Sequence, residues 1–203
     1  MSLELYLAYV LTCAVITIVP GPTVTLILAN SLAHGTRAGL LNVLGTQFGL
    51  ALMLAILAVG LASIIETMGW WFDWLRLAGA AYLVWLGWKL IRSSGKLDAS
   101  SAPAPRGGFV LQGFLVLMGN PKALLWFGAF IPQFIDPAGD YLRQVLLLGV
   151  TAMTVAALSD GAYAVVTGRA SALLSRQRVR LVSRVGGLCL IGGGAWLAFT
   201  RAR

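Results

Sequence analysis

Long apolar runs, each roughly twenty residues or more, occupy most of this 203-residue chain. Six are read, at roughly 4–32, 39–64, 71–92, 109–135, 142–168 and 182–200. A helix rises about 1.5 Å per residue, so about 20 apolar residues cross a hydrocarbon core of about 30 Å. In lipid every backbone N–H and C=O must bond inside the protein, and for runs of this length the α-helix is the structure that satisfies them. The expected fold is an all-α membrane protein of six transmembrane helices. Composition supports it: 59% of residues are apolar and 11% charged, more apolar surface than a soluble domain of this length can hide.

Lys and Arg alternate between the connecting segments. The first carries Arg37, the third Lys89, Arg92, Lys96 and Arg106, and the fifth Arg169, Arg176, Arg178, Arg180 and Arg184. The second and fourth have only Arg76 and Arg143, each beside acidic residues. The positive-inside rule places the odd loops in the cytoplasm and both termini in the periplasm, although Arg201 and Arg203 at the tail run against that orientation. The net charge of +8 is therefore a matter of topology, and nucleic-acid binding is not expected. The fifth loop, about 171–184, mixes Leu and Val with Arg and suits a basic amphipathic helix lying on the membrane surface.

The third loop, rich in Ser, Ala, Pro and Gly, reads as a linker over 93–108 between halves at 1–92 and 109–203. Each half holds three spans. Tandem copies with an odd span number insert in opposite senses, which gives an inverted repeat. Two signals support it. Helix breakers stand in the first span of each half, Pro20-Gly21-Pro22 and Asn120-Pro121, and Arg76, Gly79 and Trp88 recur in spacing as Arg184, Gly187 and Trp196.

A proline in a helix interior removes a hydrogen bond and costs about 3 kcal/mol or more. At membrane depth such breaks are tolerated where they line a cavity or pack in protein, and there they aim backbone groups at a substrate. Pro20, Gly21, Pro22, Thr23, Asn120 and Pro121 are thus candidate binding residues, with Gln47 as a further polar group at depth. Lys122, near the centre of the fourth span, costs about 2.5–3.5 kcal/mol to insert. Asp160, well inside the fifth span, carries the opposite sign. Asp160 is the candidate for a coupling proton. Lys122 answers a carboxylate, either the substrate's or that of Asp160; a purely structural ion pair is the plainer alternative. Gly39, Gly45 and Gly49 in the second span, and the glycines of the sixth, read as close-packing faces. Those of the sixth would also suit a homodimer. His34 reads as a surface residue, and Cys13 and Cys189 as packing residues without the spacing of a metal site or disulfide framework. No catalytic set, cofactor fingerprint or metal motif stands in the sequence.

Taken together, these motifs resemble the LysE/RhtB family of amino-acid exporters. The resemblance rests on Pro20-Gly21-Pro22 with Gly35, Gly39, Gly45 and Gly49, on the third-span run from Leu77 to Gly87, on Asn120-Pro121-Lys122-Ala123, and on Phe130-Ile131-Pro132-Gln133-Phe134. Asp160 stands where the family usually has an acidic residue. The resemblance implies two inverted three-helix repeats, proton-coupled efflux of amino acids or analogues across the bacterial inner membrane, and a substrate path where the two breaks meet. Members often carry Asn or Asp after Pro-Gly-Pro. Thr23 stands there instead, which argues against a strongly basic substrate. Export rather than import follows from the resemblance alone. A passive channel, or an exporter of a metal ion or another small solute, is the competing reading; the breaks lack the Cys, His or Met that a soft metal needs.

Overall fold

The computed structural model describes residues 1–18, 21–59, 69–92, 105–136, 138–170 and 176–199. Among these, every regular element is helical. They are α1 (Leu3–Ile18), α2 (Pro22–His34), α3 (Thr36–Ala58), α4 (Gly69–Arg92), α5 (Gly108–Met118), α6 (Pro121–Leu125), α7 (Tyr141–Ala170) and α8 (Arg176–Phe199). A π turn at Trp126–Phe130 and a 3₁₀ turn at Ile131–Phe134 continue α6. Pro20 and most of the linker, 93–104, lie outside the described residues.

By length and apolar composition α3 and α7 each suffice to cross a membrane. Two bent pairs also qualify as broken spans: α1 with α2, bent by 51°, and α5 with the segment 122–134, bent by 58°. The breaks fall where the prolines predicted them. With 24 residues each, α4 and α8 are long enough to cross as well. One carries Asp73, Arg76, Lys89 and Arg92, the other four arginines in its first nine residues. The basic stretch expected to form a separate surface helix differs in part: from Arg176 onward it is the first turns of α8 itself. A helix that continues without a cap or breaker has no reason to end at Arg184.

Close backbone packing sets the helix order. A single glycine, Gly35 at φ +81°, turns α2 into α3, its N–H donating to the Ser31 carbonyl (3.0 Å). Asn42 meets Phe109 and Gly49 meets Leu117, so α3 and α5 run side by side in the same direction, with Gly45 close against the Val110 carbonyl and Gly113 against the backbone of Asn42. Antiparallel to α3 runs α7, with Gly168 against Thr36 at one end and the Tyr141 hydroxyl donating to the Leu57 carbonyl (2.7 Å) at the other. Gly39 admits Ser31, as its place in the glycine stripe suggested.

The most extensive helix pair is α4 with α8. Their contact is reciprocal: Gly87 meets the Gly187 carbonyl and Ile191, while Gly187 meets the Gly87 carbonyl and Ile91. This contact sets Gly87 and Ile91 of α4 against Gly187 and Ile191 of α8 in antiparallel order. The glycines of the sixth span are thus partly used within the chain, since Gly193 also approaches Pro22.

An added β-carbon at either Gly87 or Gly187 would lie 2.5 Å from the facing carbonyl oxygen. Gly87→Val and Gly187→Val are each expected to lower the thermal unfolding midpoint of the detergent-solubilised protein, at an overpacking cost of about 1–3 kcal/mol. Gly192→Val, where an added β-carbon meets nothing within 4 Å, should leave the midpoint unchanged.

Candidate functional site

The two helix breaks meet. Asn120 precedes α6 in extended conformation, and its side-chain carbonyl accepts from the Lys122 N–H (3.0 Å), an N-cap of the kind that satisfies an orphan helix donor. Its amide donates to the Thr23 hydroxyl (2.6 Å) in the first turn of α2. Pro22 and Pro121 open α2 and α6, a position where the missing N–H costs nothing. Gly21 caps α2 from an extended conformation, and its carbonyl accepts from the Thr25 N–H (2.9 Å).

The Ile16 carbonyl lies in the last turn of α1, which ends at Ile18, and is one of the acceptors a helix end leaves without an intrahelical partner. The Lys122 ammonium supplies a partner by donating to Ile16 across the break. The Lys122 stem passes Gly21, where an added β-carbon would lie 3.7 Å from its Cδ.

Beneath this junction lies a cavity of about 90 Å³, well above the 10–15 Å³ one water needs. Thr17, Thr23, Thr46 and Asn120 give it hydroxyls and an amide, and both Lys122 and Asp160 face it. Asp160 is 7% exposed. Ile16, Val24, Leu50, Leu117, Trp126 and Phe127 form the apolar walls. One side is closed by an aromatic cluster in which Trp126 stacks on Phe130 (4.2 Å between ring centroids) and Tyr9 lies edge-on to Phe134 (5.1 Å). The π turn that carries Trp126 and Phe130 belongs to a class of helix irregularity frequent at functional sites.

Of the residues singled out from sequence, Gly21, Thr23, Asn120, Lys122 and Asp160 are brought together around this cavity. Pro22 opens α2 beside it, Pro121 opens α6, and Pro20 lies outside the described residues. Gln47 does not line the cavity. Its neighbour Thr46 does, and the Gln47 amide nitrogen is shielded without a hydrogen-bond partner among the described residues. Cys13, Thr17, Ala152 and Ala156 also line the cavity without having been singled out as site residues. Helical spacing carried a signal for two of them: Ala152 and Ala156 stand two turns and one turn before Asp160.

A second polar cluster sits toward the α2–α3 turn. The Asn30 amide donates to the side-chain carbonyls of Asn42 (2.7 Å) and Gln112 (2.9 Å), and Asn42 donates to the Phe109 carbonyl (2.7 Å). This network ties α2 and α3 to α5. The ring of His34, expected at the surface, packs against Phe109 (5.1 Å) with both nitrogens shielded. Among the described residues no three His, Cys, Asp or Glu side chains are placed to hold a metal ion.

The family profile of LysE-type translocators matches residues 14–201. The chain is 31% identical to a homoserine/homoserine lactone efflux protein of Salmonella typhimurium, over 99% of both chains. It is 30% identical to a threonine efflux protein of Escherichia coli K12, over 75% of this chain and 76% of the other. An uncharacterized membrane protein of Vibrio cholerae is 30% identical over the whole of both. No solved structure matches significantly. With its apolar helices, paired breaks and a family match over nearly its whole length, the chain belongs to the LysE-type translocators, a multi-pass membrane transporter and not an enzyme.

Proposed function

We propose that this protein exports amino acids or close analogues across the bacterial inner membrane, driven by an inward flow of protons. The observation that carries this reading is the placing of Lys122 and Asp160 on one cavity, at the junction of two broken helices. An ammonium and a carboxylate sharing a site match the two ends of a zwitterion: Lys122 takes the substrate carboxylate and Asp160 the amine. Thr23, Thr46 and Asn120 add hydrogen bonds. A proton and a substrate amine compete for Asp160, so uptake of one favours departure of the other. The names of the relatives, efflux proteins for homoserine, threonine and leucine, support both the substrate class and the outward direction.

In the proposed architecture the chain crosses the membrane six times, as two inverted three-helix halves. The antiparallel α4–α8 contact, with Gly87 and Gly187 in equivalent places, supports that symmetry. Arg37 in the first turn of α3 and Arg169 in the last turn of α7 lie at one end of the bundle, since Thr36 touches Gly168. That end faces the cytoplasm and the termini face the periplasm.

The test uses the purified full-length protein in liposomes preloaded with a mixture of radiolabelled neutral amino acids, with a pH gradient imposed. The wild type is expected to release one class of them only when the gradient is present. Asp160→Asn should leave the protein folded, as judged by its circular dichroism and elution in detergent, and remove the dependence on the gradient. Gradient-driven release by that variant would exclude Asp160 as the proton carrier. Lys122→Met should weaken substrate binding about tenfold or more, the loss typical when one partner of a charge-assisted hydrogen bond is removed, seen as a raised KM for efflux. An unchanged KM would exclude Lys122 as the carboxylate's partner.

A further inference from the structure

The wall that α7 presents to the cavity is a line of small side chains ending in a carboxyl. Its contributions are Ala152, Ala156 and Asp160, two methyl groups and then a carboxyl, each one turn apart on the same helix face. The opposing walls carry large side chains, among them Leu50, Leu117 and Trp126. The open space therefore lies where α7 withholds side-chain volume. The helix itself does not require alanine there. Met153, Val155 and Leu158 stand on the same stretch of α7, so larger residues are compatible with it.

We infer that Ala156, seconded by Ala152, sets the size limit on the transported amino acid by leaving room for its side chain. This rests on the proposed amino-acid transport and goes beyond it. With the amine at Asp160 and the carboxylate at Lys122, the α-carbon lies between the two charges. The residue one turn from Asp160 along α7, about 6 Å away, is Ala156, and Ala152 is about 12 Å away. The substrate side chain points along this strip and meets methyl groups on one side and apolar walls on the other. The strip from Ala156 to Ala152 holds no charged group, so it takes a neutral side chain of short to medium length.

The experiment measures efflux of alanine, threonine, leucine and phenylalanine, each alone, from liposomes holding the wild type, Ala156→Leu or Ala156→Gly. Ala156→Leu is expected to cut leucine efflux about tenfold or more relative to alanine, the discrimination a steric difference of methylene scale provides. Ala156→Gly should shift the ranking the opposite way and raise phenylalanine relative to alanine. This second variant removes volume, so it reports even if the leucine variant does not insert. Both variants changing all four substrates by one common factor would overturn the inference and leave amino-acid transport standing. A wild type that releases none of the four would overturn the transport reading itself.

Discussion

A carbonyl at a helix end has to be answered from within the protein where water does not reach, and the carbonyl of Ile16 lies in the last turn of α1, which ends at Ile18. Its partner is the ammonium of Lys122, from the other half of the chain. One contact thereby resolves two expensive features: the orphan acceptor left by the first break and the cation just after the second. Much of the central geometry follows. Lys122 reaches back across Gly21, Asn120 caps the helix that carries Lys122, and the same Asn120 donates to Thr23 at the start of α2. The two breaks are held against each other, and the cavity lies where four helix ends cannot fill the space between them.

Packing around this junction relies on glycine rather than on apolar bulk. Lipid tails are as apolar as leucine, so burying leucine against leucine gains little in a bilayer, and close approach of backbones becomes the source of attraction. Gly45 and Gly113 bring α3 and α5 together, and Gly87 with Gly187 does the same for α4 and α8. The large residues point outward: Leu44, Phe48, Leu52 and Ile56 on α3 are exposed at the spacing of a lipid-facing stripe. The polar network of Asn30, Asn42 and Gln112 adds a specific lock near the α2–α3 turn, where Asn42 is fully buried.

Much of this was legible in the sequence because the bilayer imposes strong rules. Length and hydropathy gave the helices, and the prolines gave both break positions. Charge at depth singled out Lys122 and Asp160, since such residues are costly without a use. The neutral parts of the cavity were harder to read. Thr46 and Gln47 are adjacent polar residues on one helix, and which of them faces the cavity depends on the rotation of α3, set by Gly45 against Val110. The contact of Gly87 with Gly187 was hard to read for a similar reason, since it joins two helices far apart in sequence and nothing local names the pair. The partner of Ile16 was derivable in half: a helix end leaves orphan carbonyls, but nothing local names Lys122.

The double duty of Lys122 constrains how the proposed cycle runs. An ammonium has three donors, and one is given to Ile16. Substrate binding therefore draws on a group that also holds the broken first span, so the geometry of the break and occupancy of the cavity are linked. Linkage is reciprocal: whatever substrate does to the break, a change at the break does to substrate affinity. The carboxyl of Asp160 enters the same balance, because it lines the same cavity with the opposite charge. In the proposed cycle a proton on Asp160 removes one of the two opposite charges that share the cavity, a state costlier in a largely apolar site than either the paired or the substrate-bound one. The proton-loaded site thus has reason to open toward water or to give the proton up. A zwitterion, which supplies one charge to each group, neutralises the site without that cost. In the proposed exchange this difference between the two loads is what favours swapping a proton for a substrate, and it rests on two side chains that share one cavity.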